Sequence, residues 1–333
     1  MSDVRDTPLL SVRDLCVQFK VADKKRLPWS RARTLTAVDN VSFDVHPGET
    51  LSIVGESGCG KSTLARAVLN LVAVQSGTVH WMGREMPVGR HANRQQWQSL
   101  RADAQMIFQD PLASLDPRMT VGQLIAEPLK VHMPGLSRDE TLRRTRAIMA
   151  KVSLRDDMIN RYAHEFSGGQ CQRIGIARAL IVEPKLIVCD EPVSALDVSV
   201  QAQIVNLLKT LQAELGLAVI FIAHDLAVVR HISDRVLVMY LGRVMELANK
   251  RDLYDAPSHP YTRALLSAVP VPDPAVERAK VVQILSGDIP SPISPPSGCV
   301  FRTRCPQAEA RCADARPALR PRRDSGSAAC IHL

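Results

Sequence analysis

One short stretch decides the fold of this chain, and it reads Gly55-Glu56-Ser57-Gly58-Cys59-Gly60-Lys61-Ser62. It fits the pattern G-x-x-x-x-G-K-[S/T] of a phosphate-binding loop. An apolar run at residues 51–54 precedes it, and a helical pattern begins at Lys61. Glycines let consecutive backbone N–H groups surround phosphate oxygens, and the N-terminus of the following helix adds a favourable dipole. The alternative, a Gly-rich turn ahead of a helix, is disfavoured because both flanks fit the motif.

The residue types in this loop predict how a nucleoside triphosphate is held. Lys61 can reach the β- and γ-phosphates, and the Ser62 hydroxyl can ligate Mg²⁺. Thr63 follows directly, and we assign it to nucleotide binding together with the eight loop residues. The loop by itself fits kinases, GTPases, helicases and transporters equally well.

A second part of the site lies further along the chain, where the apolar run at residues 186–189 ends in Asp190 and Glu191. A carboxylate at the carboxyl end of a buried strand is well placed to hold Mg²⁺ beside a phosphate loop, which fits Asp190. The next acid can polarise the attacking water, which fits Glu191. A polar strand end that caps a helix is the alternative, and the presence of the phosphate loop makes it the weaker one.

Composition narrows the class of protein. The chain has 333 residues, of which 46% are hydrophobic and 23% charged, as in ordinary globular proteins. Aromatic residues make up only 4% of the chain, which argues against a protein that stacks bases of RNA or single-stranded DNA. Part of the net charge of +8 comes from arginines near the C-terminus, so no general basic surface is indicated. No run approaches the roughly 20 apolar residues that span a bilayer, and no signal-peptide pattern opens the chain, so we predict a cytosolic protein.

Apolar strands alternate with helical patterns along most of the chain. The predicted strands are residues 10–21, 41–45, 51–54, 105–108, 186–189, 218–222 and 236–240. Continuous apolar strands separated by helices predict an α/β fold with a mostly parallel sheet. Residues from about 119 to 180 are mostly helical, with a capping box at Ser137 and Glu140, and they predict a helical insert. The basic residues 23–33 are expected to form an exposed loop.

The peptide Phe166-Ser167-Gly168-Gly169-Gln170 separates the families that share the phosphate loop. It resembles the signature peptide of ABC ATPases, although Phe166 replaces the usual Leu and Cys171 follows Gln170 where Arg, Lys or Gln is commoner. Small residues at a helix N-terminus suit close approach to a phosphate. The resemblance implies that the residues from Ser167 to Gln170 act in trans, on the ATP held by an opposite subunit. A plain Ser-Gly-Gly loop before a helix is the alternative.

Four further residues occupy positions that the ABC family uses. Gln109 corresponds to the glutamine that links the Mg²⁺ site to the helical insert, and Asp197 ends a loop that crosses the dimer interface. His224 corresponds to the histidine that contacts the γ-phosphate, and Phe19 to the aromatic residue under adenine. The resemblance therefore implies a catalytic set of Glu191, His224 and Gln109, with Mg²⁺ held by Ser62, Gln109 and Asp190. Isolated residues of these types are more often structural, a histidine or a strand phenylalanine above all.

The family resemblance implies a P-loop NTPase core of the ABC ATPase type with an inserted α-helical subdomain and a small Cys-rich C-terminal extension. We predict a nucleotide-binding domain at residues 1–255, with the helical subdomain at about 111–180, and the extension at residues 256–333.

The chain is similar to the dipeptide/oligopeptide permease ATPases in stretches outside the ATP site as well. The stretches that carry this resemblance are Phe108-Gln109-Asp110-Pro111, Ser114-Leu115-Asp116-Pro117-Arg118, Pro192-Val193-Ser194 and His259-Pro260-Tyr261-Thr262. It implies an importer subunit at the cytoplasmic face of the inner membrane, peripheral and cytosolic. The implied partners are a second, related ATPase, two membrane-spanning permease subunits and, indirectly, an external solute-binding protein, with no nucleic acid. Peptides are the expected cargo, while nickel and glutathione serve other relatives.

Two other functions stay open from the sequence. One is a soluble ABC ATPase that acts on ribosomes or DNA, which would usually carry two ATPase modules or a long coiled-coil insert. The other is a scaffold that binds nucleotide without turnover, against which the intact Glu191 and His224 argue.

Four cysteines crowd into the last 35 residues: Cys299, Cys305, Cys312 and Cys330. Four thiolates match the ligand number of a [4Fe–4S] cluster, and the subfamily resemblance points the same way. Zn²⁺ is the alternative, but its sites commonly use close C-x₂₋₄-C pairs, which are missing from this tail. We expect an iron–sulfur cluster that supplies folding energy to a segment too short and Pro-rich to bury a core.

Overall fold

The computed structural model describes residues 7–21, 33–88, 94–270, 273–322 and 326–333. Among these, residues 7–9, 45–50 and 94–223 form a first compact unit, and the others form a second. The basic segment predicted as a loop lies outside the described residues except for Arg33, which begins a strand. The domain boundaries given above stay a prediction.

The strands of the described chain are β1 (Leu10–Val21), β2 (Arg33–Val45), β3 (Thr50–Val54), β4 (Ser76–Trp81), β5 (Arg84–Met86), β6 (Ala104–Ile107), β7 (Leu186–Asp190), β8 (Ala218–Ile222), β9 (Arg235–Tyr240), β10 (Arg243–Asn249), β11 (Arg320–Pro321) and β12 (Ser327–Ala328). The helices are α1 (Lys61–Val68), α2 (Arg94–Asp103), α3 (Val121–His132), α4 (Arg138–Lys151), α5 (Gly168–Leu180), α6 (Val198–Leu215), α7 (Leu226–Ile232), α8 (Lys250–Asp255), α9 (Pro260–Ser267) and α10 (Pro274–Ala279).

The first unit is built on a parallel arrangement of β6, β7 and β8 in that order. Every residue of β7 and β8 is buried, as the continuous apolar runs in the sequence predict for strands covered on both faces. Helices α3, α4 and α5 lie between β6 and β7 in the chain and pack on one another. The predicted parallel strands and the helical insert are confirmed.

The second unit contains two groups of strands. One is a four-stranded sheet in the order β2-β1-β4-β5, in which β4 pairs antiparallel with both β1 and β5. In the other, β3 runs parallel to β9, and β10, β12 and β11 follow in antiparallel pairs. The sequence did not predict β4, β5, β10, β11 or β12, and β5, β11 and β12 have only two or three residues each, too few to show a strand pattern.

One predicted helix cap forms only in half. The Ser137 side chain accepts a hydrogen bond from the Glu140 N–H at 3.2 Å, as expected at the start of α4. The Glu140 carboxylate does not reach back to complete the box, because it accepts from Arg143 and Arg144 at 2.7 Å each. The two guanidinium groups lower the pKa of Glu140 to about 2.

The C-terminal segment packs as part of the second unit. Phe301 has no exposed surface and lies against Tyr240 and Tyr261, with ring centroids 5.3 and 5.2 Å away. The Arg322 guanidinium pairs with the buried Glu246 carboxylate at 2.6 Å, and β12 extends the edge of β10. Apolar burial and ion pairs therefore stabilise this segment.

The predicted iron–sulfur cluster is wrong. Within the described ranges, no group of three or more His, Cys, Asp or Glu side chains could hold a metal ion, so the zinc alternative has no support either. Burial raises the pKa of Cys299 and Cys305 and so disfavours the thiolate that a metal needs. Cys312 is buried, and its sulfur accepts a hydrogen bond from the Glu309 N–H. A short, Pro-rich segment was expected to need metal for its folding, but its Phe301 is buried in a core that Tyr240 and Tyr261 complete.

Candidate nucleotide-binding site

The phosphate loop lies between β3 and α1 in the second unit, and its glycines are needed for its shape. Gly55 and Gly60 have φ of 151° and 104°, in the region that side chains rarely adopt. A Cβ on Gly55 would lie 2.2 Å from the Met239 carbonyl oxygen, and one on Gly60 would lie 2.1 Å from that of Ala37. The loop can therefore follow this path only with glycine at both positions.

Lys61 is the first residue of α1, and its side chain folds back across the loop. Only 4% of its surface is exposed, and its Nζ donates to the carbonyls of Gly55 at 2.8 Å and Glu56 at 3.1 Å. An ammonium group at the N-terminus of a helix that follows a Gly-rich loop is an anion site of the kind that binds phosphates. Ser62 and Thr63 stand in the first turn of α1, at the same end of the helix.

Hydrogen bonds and an ion pair from other segments of the second unit hold the phosphate loop in place. The Cys59 carbonyl accepts from the Gly242 N–H at 2.8 Å, and burial raises the pKa of the Cys59 thiol. The Glu56 N–H donates to the Tyr261 hydroxyl, and the Glu56 carboxylate pairs with Arg304. Neither contact could be predicted from the sequence, although Tyr261 lies in the stretch from His259 to Thr262 and Arg304 lies between Cys299 and Cys305.

The first unit brings Gln109 and Glu191 together. The Gln109 amide donates to the Glu191 carboxylate at 3.1 Å, and the Glu191 N–H donates to the Ile222 carbonyl at 3.1 Å. Asp190 ends β7 with no exposed surface. A buried carboxylate needs a cation or strong donors to keep its charge. Each predicted Mg²⁺ ligand carries a side-chain oxygen, the donor type that Mg²⁺ prefers; Gln109 and Asp190 belong to the first unit and Ser62 to the second.

The signature peptide forms the N-terminus of α5. The Ser167 side chain accepts from the Gln170 N–H at 3.4 Å, and the Ser167 N–H donates to the Gln170 side chain at 3.0 Å, which makes a complete capping box. A Cβ added to Gly169 would lie 2.5 Å from a methyl group of Val200. Any larger residue there would push α5 away from α6, so Gly169 fixes how these two helices meet.

Asp197, which ends the loop predicted to cross the dimer interface, caps α6. Its carboxylate accepts from the Ser199 hydroxyl at 2.7 Å and from the Val200 N–H at 3.0 Å, and these bonds lower its pKa. Val200 also contacts Gly169, so this loop and the signature peptide share a neighbour.

Two further predicted residues are His224 and Phe19. His224 precedes Asp225, whose carboxylate caps α7 by accepting from the Ala227 N–H at 2.7 Å. Phe19 lies on β1 with 38% of its surface exposed. An exposed aromatic ring suits stacking on a base, and it does not belong to the core.

Among the described residues, no helix combines the length and the apolar composition that crossing a bilayer requires.

Comparison with known proteins places the chain in a family. The model of the ABC transporter family matches residues 38–194, and that of the oligopeptide/dipeptide transporter C-terminal region matches residues 245–312. The chain is 59% identical to the oligopeptide transport ATP-binding protein OppF of Haemophilus influenzae, over 98% of this chain and 97% of that protein. OppF of Escherichia coli is 61% identical over 93% of this chain and 92% of its own length. A putative peptide import ATP-binding protein of Brucella ovis is 54% identical over 98% of both chains.

Solved structures agree with these matches. The chain resembles cbiO1 of Clostridium perfringens, part of the ABC transporter complex cbiONQ, with a TM-score of 0.63 and 27% identity over 75% of this chain and 92% of that one. The ATP-binding cassette MJ0796, a dimer in a post-hydrolysis state bound to ADP and Pi, gives the same TM-score and identity over 73% of this chain and 99% of its own. The chain therefore belongs to the ABC transporter family, as an ATP-binding ATPase that carries the C-terminal region of the oligopeptide/dipeptide transporters.

Proposed function

We propose that this chain is the ATP-hydrolysing subunit of an ABC importer of di- or oligopeptides. The observation that carries the proposal is the pair formed by Gln109 and Glu191 beside the buried Asp190, because a water-activating carboxylate is what separates an ATPase from a protein that only binds nucleotide. Relatives of nearly the same length, named for oligopeptide transport and peptide import, support the cargo class.

The proposed chemistry divides between binding and hydrolysis. Lys61 and the loop N–H groups hold the β- and γ-phosphates, with Phe19 beneath the adenine. Glu191 orients the attacking water and accepts its proton, while Gln109 holds the Glu191 carboxylate in place and His224 contacts the γ-phosphate. When bound, Mg²⁺ neutralises charge on the phosphate oxygens. Its proposed ligands are Ser62, Gln109 and Asp190.

The proposed assembly has two ATPase subunits. The α5 N-terminus from Ser167 to Gln170 would contact the ATP bound by the second ATPase, and Asp197 would lie at the interface between them. Two permease subunits would hold the pair at the cytoplasmic face of the membrane, and an external solute-binding protein would deliver peptide to them. The dimeric state of the MJ0796 cassette supports a composite site.

Purification of the tagged chain from detergent-extracted membranes tests the assembly. We expect a second ATPase and two permease proteins to co-purify. Lipid vesicles that carry this complex and enclose ATP should take up labelled peptides when the solute-binding protein is added outside. A Glu191→Gln complex is the control and should assemble without uptake. Co-purification of ribosomes or DNA would contradict the transport role, and uptake of nickel or glutathione without peptide uptake would contradict the cargo.

A further inference from the structure

We propose that Arg304 and Tyr261, in the C-terminal region, are positioning residues that set the shape and the charge of the phosphate loop, so that this region controls ATP affinity. The inference rests on the proposed role of the loop in binding phosphates. Both residues act through Glu56, and neither needs to touch the nucleotide.

The Arg304 guanidinium binds the Glu56 carboxylate with both ends of its planar fork. One nitrogen donates to Oε2 at 2.7 Å and the other to Oε1 at 3.1 Å. The arginine side chain is 9% exposed and the glutamate 23%, so solvent screens this pair only in part. Bidentate pairs of this kind fix orientation as well as charge, so Arg304 determines where the Glu56 side chain points.

Tyr261 holds the backbone of the same residue. Its hydroxyl accepts a hydrogen bond from the Glu56 N–H at 2.9 Å. The ring of Tyr261 is fully buried and packs against Tyr240 at 4.8 Å and Phe301 at 5.2 Å between centroids. Because the buried ring is held in place, its hydroxyl gives the Glu56 backbone a fixed hydrogen-bond acceptor. This contact gives the stretch from His259 to Thr262 a role in shaping the loop.

The contacts that Arg304 and Tyr261 make with Glu56 also affect Lys61, the residue proposed to bind the phosphates. The Lys61 ammonium donates to the carbonyls of Gly55 and Glu56. A displacement of the Glu56 backbone would therefore move the acceptors that orient Lys61. Arg304, Glu56 and Lys61 thus form one connected series of contacts within the second unit.

Charge gives Arg304 a second effect. Glu56 places a carboxylate in a loop that must accept a polyanion, and like charges at short range oppose binding. Arg304 offsets that charge through its ion pair. Without the arginine, the carboxylate would repel the phosphates and would be released from its fixed position.

Equilibrium titration of the full-length chain with ATP and Mg²⁺, read through displacement of a fluorescent ATP analogue, tests this. We expect Arg304→Gln to raise the Kd for ATP about tenfold, since a partly buried charged contact is lost. Arg304→Lys, which keeps the charge but not the fork, should give an intermediate Kd. Adding Glu56→Gln to Arg304→Gln should recover most of the affinity, because the uncompensated charge is gone. Tyr261→Phe should weaken binding about threefold by removing only the hydroxyl.

Arg302→Gln is the control variant. Arg302 belongs to the same C-terminal segment, and its guanidinium donates to the Ser297 carbonyl at 2.9 Å and to the Ser297 hydroxyl at 3.2 Å, within that segment. We expect it to leave the Kd for ATP unchanged. A wild-type Kd in both Arg304→Gln and Arg304→Lys, or an equal Kd change in Arg302→Gln, would overturn the inference. If Lys61→Ala itself bound ATP normally, the proposed site would fail; if Lys61→Ala lost binding while the Arg304 variants did not, only this inference would fail.

Discussion

The Gln109 amide holds the Glu191 carboxylate through a hydrogen bond of 3.1 Å. Glu191 itself has a φ of 47°, in the left-handed region, and its N–H is bonded to the Ile222 carbonyl. A glutamate in this region stores strain of about 1–2 kcal/mol, which is common where a side chain must point in one direction for function. The strain and the bond to Gln109 both serve to aim the carboxylate.

Glu191→Gln should leave ATP binding close to that of the wild type and reduce hydrolysis by about 10³-fold or more, because the carboxylate acts only in the chemical step. Parallel measurements of ATP affinity and phosphate release check this. Gln109→Ala is the companion variant and should slow hydrolysis less, since it removes the group that orients the carboxylate and not the carboxylate. Normal hydrolysis by Glu191→Gln would show that the roles are wrongly assigned.

Lys61→Ala should abolish measurable ATP binding. The ammonium contributes to the ground state, so both affinity and turnover should fall, unlike in Glu191→Gln. Lys151→Ala, which removes an exposed lysine at the end of α4, serves as the control and should bind ATP normally. Retained affinity in Lys61→Ala would place the phosphates elsewhere.

Ser167→Arg should leave the chain's own ATP affinity nearly unchanged and stop turnover at the partner's site. Ser167 caps α5, and a long cation there would block the small-residue N-terminus that we assign to the opposite ATP. Mixed dimers, in which one subunit carries Ser167→Arg and the other Glu191→Gln, distinguish the two sites. Loss of ATP binding in the isolated Ser167→Arg monomer would argue against a composite site.

The parts of the site that sequence predicted are those whose chemistry is local. The phosphate loop needs consecutive residues, and the residues from Ser167 to Gln170 form their own cap. The strand residues 186–190 and 218–222 are continuous apolar runs, whose burial could be predicted because a parallel sheet covers both faces.

The parts that sequence missed depend on pairs far apart in the chain. Arg304 meets Glu56 from 248 residues away, and Tyr261 meets it from 205. Nothing in the local pattern of either residue indicates that partner. The metal prediction for the four C-terminal cysteines failed for the same reason, because the core around Phe301 is assembled from Tyr240 and Tyr261.

Two glycines of the phosphate loop should respond differently to an added methyl group. A Cβ on Gly60 would lie 2.1 Å from the Ala37 carbonyl oxygen, whereas a Cβ on Gly58 meets nothing within 4 Å. Both residues have positive φ, so each alanine costs about 1–2 kcal/mol of conformational strain. Gly60→Ala adds a backbone clash and should lose roughly 3 kcal/mol or more in the free energy of unfolding. Chemical denaturation of both variants measures this, and equal losses would contradict the close approach to Ala37.

His259 is a buried histidine whose neutral form the fold requires. It caps α9, where its Nδ1 accepts from the Tyr261 N–H at 3.1 Å, so that nitrogen cannot carry a proton. Burial lowers the pKa of His259 to about 4, with the nearby Arg263 acting in the same direction and a backbone bond to Ala329 against it. The Glu246 carboxylate accepts from the His259 N–H at 3.0 Å and is itself paired with Arg322.

The sign of the resulting pH dependence follows from this lowered pKa. The unfolded chain takes up the proton near the ordinary pKa of 6.5 and the folded protein only near 4, so the stabilisation is complete above pH 6.5 and is lost as the pH falls towards 4. The loss attributable to His259 is on the order of 3 kcal/mol in the free energy of unfolding. Other groups titrate in the same range, so the measurement is the difference between the wild type and His259→Asn, whose amide oxygen can cap the helix but does not titrate. Denaturation at intervals from pH 7.5 to 4 should show the wild type losing that much more stability than the variant. Parallel pH profiles for the two proteins would mean that folding does not lower the pKa of His259.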